Sequence, residues 1–262
     1  MSPLSSEQKI HYTLRIATAM CFLGHGAFGI ITKKIWCNYF AVFGIGAEEA
    51  YRLMPFVGCL DILLGIIMLL YPMRIIPLWL VIWGLVTAAL RPLSGEPFAE
   101  LIERAGNFGA PLAFLLLSGR GKGGLRGWFT RVDPSTVMTP QTYKRLGLCL
   151  RVVVFLLLLG HGWLNILGKK GLIDQYATLG FADPVMTAEI VGLLETIAAC
   201  AVLIRPFRPL LLVLLCWKMG SELFYPHYVV FEWIERGGSY GSLLALWFMT
   251  RETFSPYLSL AT

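Results

Sequence analysis

From Leu146 to Leu167 the chain runs with Arg151, His161 and Asn165 as its only strongly polar residues. A helix needs about 20 residues, at about 1.5 Å each, to cross the hydrocarbon of a bilayer. A stretch of this length and composition strands its apolar side chains in water but suits lipid. Comparable runs recur along the chain, at Arg15–Thr32, Leu53–Tyr71, Ile76–Leu90, Gly106–Leu117, Ala188–Ile204, Leu210–Phe224 and Tyr240–Thr250. Together they predict an all-α polytopic membrane protein of about eight transmembrane helices. Composition agrees: 56% of residues are hydrophobic and 15% charged, against about 25% charged in soluble domains. The first run continues well past the length of a signal-peptide core, with no small-residue cleavage pattern, and reads as a retained helix.

The net charge of +6 does not point to nucleic acid, because the basic residues sit in the connections between apolar runs. Anionic lipid headgroups account for that placement. On the side of the first residues, thirteen basic residues face three acids, whereas the other side has eight basic residues and ten acids. The positive-inside rule then makes both termini cytoplasmic, in a protein of the cytoplasmic membrane. None of the six cysteines forms a CxxC pair, so the spacing offers no dithiol centre and no thiolate metal site.

The sequence also repeats. LRIATAMCFLGHG from Leu14 to Gly26 matches LRVVVFLLLLGHG from Leu150 to Gly162, at an offset of 136, and Lys33-Lys34 matches Lys169-Lys170 at the same offset. After short slips Asp61 meets Glu195, Trp83 meets Trp217, and Ile102-Glu103-Arg104 meets Ile234-Glu235-Arg236. Apolar letters coincide by chance in any membrane protein, but a histidine, a lysine pair, an acid and a tryptophan in one order do not. Residues 1–118 and 145–262 thus read as two four-helix halves in parallel repeat, joined by a basic cytoplasmic linker over 119–144. An even number of spans per half makes both halves start on the same side.

Ionisable groups inside hydrocarbon are costly unless paired. His25 and His161, each between two glycines, fall at the depth of Asp61 and Glu195, and the preferred pairs are His25–Asp61 and His161–Glu195. Each histidine suits ligand binding or proton transfer, with the carboxylate orienting its ring; a packing role uses the same residues. The second half is chemically richer. Lys218 and Glu222 stand where the first half has Gly84 and Ala88. They can pair with each other on one helix face, or join His161 and Glu195 as catalytic candidates. Asn107 of the first half and Ser239 and Tyr240 of the second complete the candidate ligand-binding set with His25 and Asp61, and His227 and Tyr228 fall near the same outer surface. Lys33-Lys34 and Lys169-Lys170 read as headgroup anchors, or as a lure for an anionic substrate, and Glu103-Arg104 and Glu235-Arg236 as interfacial ion pairs, or as arginines that fold inward to an acid.

An arginine near the start of the first helix, the GHG…KK segment and the G-x-x-[DE] segment of the second helix give both halves a pattern that resembles the DoxX-like membrane-protein family. The linker stands outside the resemblance. It implies compact four-helix membrane units, some associated with quinone-linked sulfur oxidation or with envelope redox complexes. It carries His25, His161, Asp61 and Glu195 as residues of interest, and the tandem fusion departs from the single unit.

Three functions fit these residues. One is a redox-linked membrane protein with a site for a quinone-like or other lipid-soluble ligand toward the non-cytoplasmic side. The others are a non-catalytic accessory subunit of a redox or envelope complex, and a transporter of a small or lipidic substrate. A quinone is the cofactor the first reading takes. Haem held by His25 and His161 is disfavoured, and no electron-carrying motif or metal site accompanies them. Membrane lipids are the expected partners in every case.

Overall fold

The computed structural model describes residues 3–119, 124–135, 137–225 and 230–250, and the described residues form helices with a single isolated β-bridge, Met73 to Arg131. In chain order the helices are α1 (Ser6–Ile30), α2 (Trp36–Ala41), α3 (Ala47–Leu70), α4 (Ile75–Leu93), α5 (Ala99–Glu103), α6 (Ala105–Ser118), α7 (Pro140–Ile166), α8 (Lys170–Thr178), α9 (Pro184–Ile204), α10 (Arg208–Leu223), α11 (Val230–Glu235) and α12 (Gly237–Met249). A 3-10 turn, Gly124–Trp128, lies between α6 and α7.

Local chemistry sets several of these ends. Ser5 and Gln8 form a capping box, so α1 starts about two and a half turns before the apolar run that signals it. Thr139 caps α7, whose first residue is Pro140, and Asp183 caps α9 ahead of Pro184. The far ends of α3 and α9 are closed by arginines from their neighbours. Arg15 donates to the Met68 carbonyl at 3.1 Å and to that of Leu69, while Arg151 donates to the Ile204 carbonyl at 2.6 Å and to that of Leu203. Each guanidinium thereby satisfies carbonyls that a helix end leaves open.

Among the described residues five helices, α1, α3, α4, α7 and α9, are long and apolar enough to cross a membrane. Where the other spans are expected the helices are shorter: α6 is an apolar helix of 14 residues, and α10 and α12 have 16 and 13 residues. The outward faces are apolar. Phe56, Leu63 and Leu70 on α3 and Val213 on α10 are all more than half exposed, a distribution that suits lipid rather than water.

The core runs along α1, α6, α7 and α12, through Leu14, Phe22, Phe114, Leu150, Leu157 and Leu246. α1 packs along α3 and α12, and α7 along α9 and α6. The short helices cross between the halves: α5 lies against α7, and α11 against α1. Glycine makes the closest approaches. A Cβ on Gly26 would sit 2.7 Å from the Gly58 carbonyl oxygen, and one on Gly162 would sit 2.7 Å from that of Gly192. Such spacing lets backbones touch where hydrophobic force between helices is weak. Gly26→Ala is expected to push α1 off α3, cost about 1–3 kcal/mol, and lower the melting temperature in detergent; unchanged melting would show that the contact is not tight.

Helices α2, α5, α8 and α11 gather at the end of the bundle away from Ser5. The opposite end carries the connection between halves, held by Arg74, which donates to the carbonyls of Ser118 at 2.9 Å and Gly127 at 3.1 Å.

Candidate functional site

The α1–α3 and α7–α9 contacts place both expected histidine–carboxylate pairs. His25 Nδ1 lies 2.7 Å from Asp61 Oδ2, and His161 Nδ1 lies 2.5 Å from Glu195 Oε2. In both pairs Nδ1 is turned to the carboxylate, which leaves Nε2 as the ring nitrogen free for another partner. The two surroundings differ. Glu195 also accepts from Trp217 Nε1 at 2.9 Å, and Asn165, held by the Tyr176 hydroxyl at 2.8 Å, leans on His161. In the first half Gly29 stands in place of Asn165, and His25 instead packs, tilted by 34°, against Trp36 of α2 with ring centres 4.7 Å apart.

Above these pairs lies a lattice of ion pairs that connects the halves. Arg104 Nη1 is 3.0 Å from Glu235 Oε1, and Arg236 pairs with Glu103. Lys33 reaches Glu232 at 2.6 Å and Lys169 reaches Glu100 at 2.6 Å. Both lysines had been expected to anchor to headgroups; the correction is that each neutralises a glutamate on a short helix of the other half. The Glu-Arg dipeptides pair with each other, Arg104 with Glu235 and Arg236 with Glu103, the inward-folding alternative of the sequence reading. Burial alone would raise the Glu103 and Glu235 carboxyls, yet the arginines beside them hold both below the usual carboxylate range. Glu222 pairs with Arg236 Nε at 2.9 Å, which replaces the expected Lys218–Glu222 pair. Lys218 is 2% exposed, and among the described residues its Nζ has no hydrogen-bond partner.

Between this lattice and the aromatic side chains of the first half is a cavity of ≈ 440 Å³. Phe28, Trp36, Tyr39, Phe43 and Trp83 form its apolar side, and Arg91, Arg104, Glu100, Lys33 and Lys169 its charged side. His25 and Asn107 face it, and Glu222 reaches it from the second half. Asp61, fully buried, stands behind His25. Tyr39 donates to Glu96 at 2.6 Å, and Arg91 bridges Glu96 and Glu100 at 2.8 and 3.1 Å.

The matching place in the second half is almost filled, with a polar space of ≈ 10 Å³ among His161, Glu103, Glu222, Tyr225 and Arg236. Glu222 and Tyr225 line this space, and Glu222 stands where the first half has the small Ala88. An open apolar groove of ≈ 740 Å³ lies outside, bounded by Phe181, Ile190, Trp217 and Phe224, with His161 at its inner edge.

Comparison of the chain with protein-family models, curated proteins and solved structures finds no match. The site is therefore read from its own chemistry.

The structure brings His25, Asn107 and Glu222 to one cavity, with Asp61 in support, and keeps His161 and Glu195 in a separate, packed cluster. Ser239 and Tyr240 do not reach the cavity wall. Ser239 meets Gly106 where α6 and α12 touch, and Tyr240 rests on Trp233 with ring centres 5.3 Å apart. His227 and Tyr228 lie outside the described residues. Among the described residues no group of three or more His, Cys, Asp or Glu side chains is placed to hold a metal ion. Sequence reasoning missed Trp36, Tyr39 and Trp83. The repeated tryptophan at 83 and 217 was a signal for the last; the short α2 gave none, because a short helix beside a lysine pair reads as a connection.

Proposed function

We propose that the chain is an integral protein of the cytoplasmic membrane, with eight spans in two fused four-helix halves, and that it binds a quinone-like or other lipid-soluble ligand in the first-half cavity. An approximate twofold axis along the membrane normal and both termini in the cytoplasm belong to the same reading. The support for duplication is reciprocity: Arg15 and Arg151, His25 and His161, Arg104 and Arg236, and Lys33 and Lys169 make corresponding contacts at matched positions.

The observation that carries the ligand reading is the two-sided cavity. An aromatic wall takes a flat or branched apolar body, and a few placed polar groups fix its head, the usual build of small-molecule sites. His25, held by Asp61, offers Nε2, and Asn107 offers an amide. The surrounding charges are already neutralised in pairs, so the pocket favours an uncharged polar head over an anion or cation. The DoxX-like resemblance adds quinone chemistry as the class to try first.

A photoreactive azido-benzoquinone with an alkyl tail tests this in membranes. Label is expected on peptides of α2 and α4, and an excess of unlabelled decyl-benzoquinone is expected to abolish it. Label scattered over lipid-facing residues such as Phe56 and Val213, without competition, would contradict the proposal.

A further inference from the structure

The aromatic part of the first-half cavity has an image in the second half. Phe40, Phe43, Trp83 and Leu90 of the cavity wall match Tyr176, Leu179, Trp217 and Phe224, and all four of the latter line the ≈ 740 Å³ groove. His25 and His161 line the two spaces at matched positions. The inner, charged part of the cavity corresponds to the small polar space beside Glu103 and Arg236. A latch separates that space from the groove: Gln175 Nε2 donates to the Ser221 carbonyl at 2.7 Å, and Gln175, Ser221 and His161 line both. In the first half Tyr39 stands in place of Gln175 and donates to Glu96 instead, and the cavity is continuous.

Gly220 supplies a second observation. It lies within α10 and lines the groove, and a Cβ built on it would meet nothing within 4 Å. Gly44, Gly95, Gly119, Gly124, Gly168 and Gly180 have the same room, but each has a positive φ that favours glycine. Gly220 has neither a close neighbour nor such a backbone, and glycine inside a helix is less stable than alanine. Val86 fills the matched position of the first half. Packing and backbone leave this glycine without a role; an occupant of the groove gives it one, because the missing side chain widens the wall. No Asp, Glu, Lys or Arg lines the groove, so an ionised head such as a phosphate would be stranded there. We propose that the groove is a second binding site, for an uncharged lipid-soluble molecule whose body lies along Phe181, Trp217 and Phe224 and whose polar head meets the edge formed by His161, Gln175 and Ser221. Its location rests on the groove and on Gly220; its ligand class, a quinone-like ring with an apolar tail, rests on the proposal made for the first-half cavity. With fewer polar groups to fix the head, the groove binds more weakly than the cavity.

The azido-benzoquinone probe tests both places in one experiment, on the full chain in phosphatidylcholine nanodiscs. At low probe concentration label is expected on α2 and α4; at higher concentration it is expected on α10 as well, and decyl-benzoquinone should displace it from all three. Gly220→Leu adds a side chain where the Cβ meets no protein atom, and should melt no lower than wild type. It should cut the α10 label by about fivefold or more and leave the label on α2 and α4 unchanged. Ala88→Phe should do the reverse. Label on α10 that decyl-benzoquinone does not displace, or that Gly220→Leu leaves at the wild-type level, would overturn the second site while the first stands; phospholipid tails filling the groove would give the same result. Displaceable label on α10 with none on α2 and α4 would remove the first-half site and keep the groove.

Discussion

Arg104→Met is expected to remove most of the folded protein from detergent extracts, and the double variant Arg104→Met/Glu235→Met to restore a large part of it. Arg104 lies 3.0 Å from Glu235 and its side chain is only 11% exposed, so the pair is shielded from water and from screening by salt. Removing one partner leaves the other as a stranded buried charge, a loss of about 3–5 kcal/mol, whereas replacing both by apolar side chains of similar volume is often neutral. The pair also joins the start of α6 to the end of α11, two elements from different halves. Its loss should therefore loosen the contact of α11 with α1 as well as the local helix end. Melting curves of the two single and one double variant form the check. The double variant should melt several degrees above either single one, and additive losses would mean that the two groups act independently. Glu103–Arg236 should respond less, because Glu222 still holds Arg236 at 2.9 Å.

Ala88→Phe is expected to reduce ligand occupancy at least about tenfold with little loss of stability. Ala88 lines the cavity, so an added ring extends into its volume. The second half already shows the outcome of filling this place, since Glu222 at the matched position helps to reduce the space to ≈ 10 Å³. Overpacking a dense core costs about 1–3 kcal/mol; occupying a cavity avoids most of that. Bound probe and melting temperature measured on the same preparation separate the two effects. A variant that binds as wild type would place the ligand elsewhere, and the groove outside His161 would be the next place to examine.

Much of the site was legible because the membrane leaves few polar residues to consider. A histidine between glycines and an acid at the same depth on the returning helix have few other partners, and His25–Asp61 and His161–Glu195 pair as the spacing suggested. What sequence could not supply was lateral position. Lys33 and Lys169 were given a depth correctly, at the helix ends, but depth alone does not reveal that Glu232 and Glu100 of the opposite half stand beside them. The same blindness hid the partner of Glu222, which is Arg236 rather than Lys218. Helix limits moved where caps outweighed hydropathy, as at Ser5 and Thr139. The brief helices α2 and α5 are too short to leave a periodic signal, although they supply Trp36, Tyr39 and Glu100 to the cavity.

The most direct test is to extract the protein with its surrounding lipid in polymer-bounded discs, without added ligand, and to identify every small molecule retained by mass spectrometry. The account predicts one uncharged, lipid-soluble molecule, near one per chain in the wild-type protein and largely absent from Ala88→Phe. Bulk membrane lipids alone in the wild-type discs, or the same complement of molecules in both proteins, would contradict it.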